Sequence, residues 1–174
     1  SLIQIQRVFG GKVDPERAER AKRKDMELMI SQNLSARAQS GELGGEARVV
    51  VTEKRITLNL GEGILFASGE TELKPGAGDV LRVITGDMLS AKNEIRVEGH
   101  TDNVPVGKRG RWRSNWELSM ARAYSVIKKL EELGVSPERI SGVGYGEYRP
   151  AAKNDSIEGR AANRRIEVSL LREE

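Results

Sequence analysis

Two apolar periods alternate along this chain, and their order limits what it can fold into. Val49, Val50 and Val51, then Ile56, Leu58 and Leu60, flank the charged turn Glu53-Lys54-Arg55. Apolar side chains recur at every second position in the latter set, and with the valine run before the turn they give the pattern of two strands joined as a hairpin. The same period returns at Ile95 and Val97 and again at Ile166, Val168 and Leu170. Between them, Val80, Leu81, Val83, Ile84, Met88 and Leu89 recur with helical spacing, as do Ala123, Ile127 and Leu130. A period-two segment presents one apolar face only when extended, and a helical pattern only when coiled. The order strand, helix, strand, helix, strand, short helix, strand therefore predicts an α+β fold: a mixed sheet of about four strands covered by helices on one face.

Local signals place the boundaries. Ser114-Asn115-Trp116-Glu117 has the form of a capping box, in which a serine hydroxyl and a glutamate satisfy exposed amides at a helix start. Gly134 stands where that helix needs a left-handed cap. Pro75 can open the preceding helix, Ser136-Pro137 starts a short turn, and Ile140–Tyr145 reads as a strand. Asp155-Ser156-Ile157-Glu158 can cap one further short helix, and Ile64-Leu65-Phe66 reads as a core plug.

The first quarter has another texture. From Lys12 to about Ala38 the chain is dominated by Lys, Arg, Asp and Glu, with a sparse apolar set at Leu28, Met29 and Leu34. Asp14-Pro15 predicts an N-cap followed by proline at the first helical position. The segment reads as a helix of roughly six turns or fewer, ending where Gly41, Gly44 and Gly45 interrupt any regular pattern. A solvated spacer is the expectation; a helix that pairs with a second copy or docks on a partner is the alternative. This divides the chain into a linker, residues 1–46, and a folded domain, residues 47–174.

Composition removes several functions. The absence of cysteine rules out a disulfide framework and thiolate chemistry. A single histidine, His100, leaves little room for zinc hydrolases or a Ser-His-Asp triad, and it reads as a hydrogen-bonded structural residue. Against 29 Lys and Arg stand 26 Asp and Glu, a formal net charge of +3, with acids and bases interleaved. With only two Trp, three Tyr and two Phe beside them, nucleic-acid binding is not expected.

Candidate chemistry concentrates at Gly99-His100-Thr101-Asp102-Asn103, directly after a strand. Side chains at a strand end are held by the sheet yet stand at its rim, which suits a binding site. Asp102 supplies an anionic acceptor. Arg122, on the next helix, supplies a planar fork that can hold a carboxylate through two hydrogen bonds. A ligand bearing an ammonium and a carboxylate on one carbon can bridge the two. A plain salt bridge between Asp102 and Arg122 is the competing explanation.

The motifs at Gly99-His100-Thr101-Asp102, Asn115, Leu118-Ser119, Arg122-Ala123, Gly144-Tyr145-Gly146-Glu147 with Pro150, Asn154, Glu158-Gly159-Arg160-Ala161 and Asn163-Arg164-Arg165 together resemble the OmpA-like peptidoglycan-binding domain. The likeness spans about residues 47 to 172. Within that family, Gly99–Val106 and Ser114–Ser119 are most similar to the flagellar stator branch, motility protein B, and the polar helix is similar to its periplasmic linker. The resemblance implies that Asp102 and Arg122 bind the diaminopimelate head group of a peptidoglycan stem peptide. Thr101, Asn115, Leu118 and Arg165 match positions that line or support the same pocket. It implies a periplasmic wall anchor that is not an enzyme and carries no cofactor or metal. It also implies an inner-membrane helix ahead of Ser1, a membrane-embedded stator partner subunit and a homodimer. A general outer-membrane, lipoprotein or secretion-system anchor using the same domain is the alternative.

Plainer explanations apply to several of these residues. Asn115 can serve the helix start, Leu118 the core, and Arg164-Arg165 can merely flank the last strand. The segment between Asp102 and Asn115 carries Lys108, Arg109, Arg111 and Arg113 with no acid. It reads as a solvated loop, or as one that attracts an anionic wall polymer. A glycosidase needs two carboxylates across a sugar bond. Of the candidates Glu98, Asp102 and Glu117, the last is explained by the capping box and Glu98 sits at a strand end.

Overall fold

Alternation decides the sheet. The computed structural model describes Gly11, residues 14–107 and residues 110–173. Its elements are α1 (Pro15–Gln39), β1 (Ala47–Val51), β2 (Arg55–Gly61), α2 (Glu62–Leu65), α3 (Ala77–Met88), β3 (Ile95–His100), α4 (Asn115–Glu132), β4 (Ile140–Gly144), α5 (Ile157–Asn163) and β5 (Arg165–Leu171). The sheet has five strands in the order β1-β2-β5-β3-β4. Only β3 and β4 run parallel; the other pairs are antiparallel. The expected count of about four is thus one short. β1 is an edge strand whose Val50 and Val51 stay half exposed, so its valine run marks a sheet border and not a buried strand.

Ile56, Leu58 and Leu60 of β2, Ile166, Val168 and Leu170 of β5, and Ile95 and Val97 of β3 are essentially fully buried beneath the helices. The opposite face is polar, with the Thr57 and Ser169 hydroxyls paired at 2.8 Å. Two glycines set how closely α4 lies on the sheet. A methyl group added at Gly99 would land on the Ser119 carbonyl oxygen, and one at Gly144 on the backbone of Met120. The start of α4 is thereby pressed against the carboxyl ends of β3 and β4.

The caps form largely as the sequence indicates. Asp14 accepts from the Glu16 amide at 3.1 Å, and Ser114 from the Glu117 amide at 3.2 Å. Glu117 reaches back to the Arg113 amide, one residue before the cap, at 3.2 Å. Gly134 adopts φ +105°, the left-handed conformation a helix end favours.

α1 departs from expectation. It has 25 residues, about seven turns, and its second half is not solvated. Ile30 and Leu34 are buried in the same core as Leu43 and the sheet. Glu27, also buried, accepts from Arg172 at 3.2 Å and from Asn93 at 3.3 Å. The core therefore crosses the division at residues 46 and 47, because the apolar stripe, though sparse, lands on β1 and α3. Leu28 and Met29 point away and stay exposed. Lys12, at the start of the charged tract, lies outside the described residues.

Candidate ligand-binding site

β3 ends at His100, and the chain turns at the sheet rim so that Thr101 and Asp102 are buried at its edge. The Thr101 amide donates to the Gly146 carbonyl at 2.9 Å, tying this turn to the segment after β4. Asp102 shapes the loop that follows it: one carboxylate oxygen accepts from the Val104 amide at 3.0 Å. Asn115 braces the same loop from the first turn of α4, donating to the carbonyls of Asp102 at 3.3 Å and Val104 at 3.1 Å.

Asp102 and Arg122 line one cleft, of about 460 Å³, but they are not paired with each other. The second Asp102 oxygen accepts from Arg164 at 2.8 Å. Arg122 donates to Glu62 at 2.7 Å, to the Glu70 carbonyl at 2.9 Å and to the Ala67 carbonyl at 3.4 Å. Its guanidinium lies 5.1 Å from the Phe66 ring centroid. Glu62 closes the series, its other oxygen 3.7 Å from Arg164. Four charges thus alternate along the cleft wall: Asp102, Arg164, Glu62, Arg122. A guanidinium has five N–H donors. With three of Arg122's engaged within the protein, it keeps donors for a ligand carboxylate while its position is fixed.

Of the six residues indicated by sequence, Thr101, Asp102, Asn115, Leu118 and Arg122 line this cleft. Leu118 is buried yet stands apart from the main apolar core, so it serves as an apolar wall of the cleft. Arg165 is not among the lining residues. It donates to the Asn163 carbonyl at 3.1 Å and the Arg149 carbonyl at 3.0 Å, and pairs with Glu167 at 3.1 Å. Its neighbour Arg164 faces the cleft instead, because side chains change sides with every residue where the chain enters β5. Glu62 lies beyond what sequence reasoning indicates, since its only signal is an acid flanked by Gly61 and Gly63 just after a strand. Lys108 and Arg109 lie outside the described residues, while Arg111 and Arg113 are exposed.

His100 belongs to the polar sheet face. Its Nε2 lies 2.9 Å from Glu167 and 3.7 Å from Glu98, but neither ring nitrogen makes a well-directed hydrogen bond. The expected hydrogen-bonded histidine is therefore an ion-paired one. Burial opposes its protonation, but the Glu167 and Glu98 carboxylates outweigh burial and raise its pKa. Contact with His100 holds both glutamates below the ordinary carboxylate range. The ligand atoms of Glu98, His100 and Glu167 lie within 4.8 Å of one another. Arg55 at 2.9 Å from Glu98 and Arg165 at 3.1 Å from Glu167 already balance the two carboxylates, and the cluster reads as a closed ion cage.

The fold is a helix-backed α+β domain with a charge-alternating cleft at the rim of its sheet. Residues 65–164 match the model of the OmpA family, and the chain belongs to that family. It is 33% identical over 126 residues to motility protein B of Bacillus subtilis, covering 70% of this chain and 47% of that one. The chain thus spans about half the length of that curated relative. The fold is similar to a protein described as MotB-like from Desulfovibrio vulgaris, with a TM-score of 0.79, 30% identity, and coverage of 88% of this chain and 99% of the other. The cell wall anchor of the type VI secretion system from Pseudomonas aeruginosa is similar too. Its TM-score is 0.73 at 30% identity, covering 80% of this chain and 97% of that one. Among the described residues, no helix is long and apolar enough to cross a membrane.

Proposed function

We propose that this chain is a periplasmic, non-catalytic peptidoglycan anchor whose cleft holds the diaminopimelate head group of a stem peptide. The observation that carries the reading is the alternation of Asp102, Arg164, Glu62 and Arg122 along one cleft. An amino-acid head group presents an ammonium and a carboxylate together, and the cleft offers the complementary pair in Asp102 and Arg122. Each charge-assisted contact contributes about 1.5–3 kcal/mol. Thr101, Asn115 and Leu118 shape the walls. Glu98 is committed to the ion cage on the polar sheet face and Glu117 to the helix start, and the two carboxylates that do line the cleft, Asp102 and Glu62, are both engaged by Arg164, which supports binding over glycosidase chemistry.

The owner of the anchor, on the same reading, is a flagellar motor stator complex. The likeness to motility protein B and to the MotB-like fold supports it. The likeness to the type VI secretion wall anchor favours the second reading, a wall anchor of another assembly. A membrane helix with an ionisable residue ahead of residue 1 supports the stator; a lipidation signal there refutes it. Single sites of this kind gain avidity when paired, and a homodimer is part of the proposal; sedimentation showing a strict monomer at high concentration counts against it.

Cosedimentation with purified peptidoglycan sacculi tests the pocket. Wild type is expected to pellet, and Asp102→Ala and Arg122→Leu to remain in the supernatant. Equal pelleting of all three overturns the assignment.

A further inference from the structure

Beside the cleft lies a second, smaller one, and it holds a pair of aromatic residues that the fold does not use. Trp116, in the first turn of α4, and Tyr148, in the segment after β4, stack with ring centroids 4.9 Å apart and planes 24° from parallel. Neither is buried: Trp116 is 42% exposed and Tyr148 59%. Large aromatic surfaces are normally hidden, where they contribute most to stability. Here two of the seven aromatic residues cover one another's inner faces and still leave apolar ring surface, a platform, open to solvent. The neighbouring volume of about 240 Å³ is rimmed by Asn103, Arg113 and Glu147, an amide and charges of both signs. Pro105, Val106 and Asn115 line both clefts, so a single wall separates the platform from the Asp102 pocket.

We propose that the Trp116–Tyr148 platform is a sugar subsite, taking a pyranose ring of the wall's glycan strand while the adjoining cleft takes the stem peptide. This rests on the peptidoglycan reading above. The faces of a pyranose ring are C–H surfaces of low polarity and its edge is a belt of hydroxyl or acetamido groups. A flat aromatic surface matches the face, and Asn103, Arg113 and Glu147 offer donors and acceptors for the edge. The size suits one ring: it falls below the ~300–1,000 Å³ typical of sites for drug-sized ligands. A nucleic acid is disfavoured because Glu147 stands on the rim beside Arg113.

The test compares two soluble probes by calorimetry: a free tetrapeptide containing diaminopimelate, and the same tetrapeptide carried on its N-acetylglucosamine–N-acetylmuramic acid disaccharide. Wild type is expected to bind the disaccharide form about fivefold more tightly, as one aromatic contact of about 1 kcal/mol implies. Tyr148→Ala and Trp116→Ala are expected to remove that advantage and leave tetrapeptide binding unchanged. Because Trp116 opens a helix, Tyr148→Ala decides the matter if the other variant is unstable. Equal affinity of wild type for the two probes, or an advantage that survives Tyr148→Ala, overturns the sugar subsite and leaves the peptide pocket standing. Failure of wild type to bind either probe overturns both.

Discussion

The Asp102 carboxylate is held by Arg164, 2.8 Å away, and not by Arg122, with which it shares the cleft. Arg122 is held in turn by Glu62. Each of the two thus has its own counter-charge within the protein, the arrangement on which the proposed ligand clamp depends. A double-mutant cycle on affinity for a diaminopimelate tetrapeptide and on thermal stability exposes this. Asp102→Asn with Arg164→Gln should show a stability coupling of about 0.5–1 kcal/mol. Asp102→Asn with Arg122→Leu should show almost none in the absence of ligand. Strong coupling of the second pair in the free protein would contradict the arrangement.

Glu62 positions Arg122. Glu62→Gln leaves a buried guanidinium without its carboxylate, though still bonded to the Glu70 and Ala67 carbonyls. A loss of about 1–3 kcal/mol is expected in urea unfolding, together with weaker binding of the tetrapeptide. Unchanged stability and affinity would remove Glu62 from the site.

The helix before residue 47 is part of the folded unit. Leu34→Ala should cost about 2–5 kcal/mol, as deletion of a buried leucine does, whereas Met29→Ala, on the exposed side, should cost little. If the two variants unfold at the same denaturant concentration, the docking of α1 on the sheet is wrong.

Close approach of α4 to the sheet depends on glycine. Gly99→Ala places its methyl group on the Ser119 carbonyl and should destabilise by about 1–3 kcal/mol. Gly86→Ala, inside α3 with open space around it, should stabilise by about 0.4–1 kcal/mol. Thermal denaturation of the two variants gives opposite signs if the packing is correct.

The ion cage sets a pH window. His100 has a raised pKa, so its contribution is complete below the ordinary value of 6.5 and fades as pH climbs through the raised one. Glu167 has a lowered pKa, so its contribution is complete above 4.5 and fades as pH falls through the lowered one. The cage therefore stabilises most between those two ordinary values. As the chain has one histidine, NMR titration of its ring reports the shift directly. Glu167→Gln should lower the His100 pKa and flatten the alkaline side of the stability profile. An unmoved titration in that variant would rule the cage out.

Much of this was legible in the residues taken in order. Alternation at Ile56, Leu58 and Leu60 and at Ile166, Val168 and Leu170 identified strands, because a two-residue period exposes one face of an extended chain. The Ser114 cap and Gly134 bounded α4 through local backbone chemistry alone. Asp102, at the end of an apolar strand, was visible as a rim residue for the same reason. The family motifs indicated Arg122, since local spacing puts it on the helix that follows.

Other features depended on contacts between distant parts of the chain. β5, last in sequence, inserts between β2 and β3, and that insertion carries Arg164 to Asp102 across 62 positions. Whether Arg164 or Arg165 faces the cleft turns on a single residue at the junction of α5 and β5, since a one-residue slip exchanges the two faces. Glu62 enters the site because β2 lies beside β5, and α1 joins the core because its few apolar residues meet β1. The sequence by itself determined which segments are strands or helices and that Asp102 stands at a strand end, since those follow from local periodicity and caps. Only the tertiary structure decided which charges pair along the cleft, since ion pairing depends on distances in space that sequence separation does not encode.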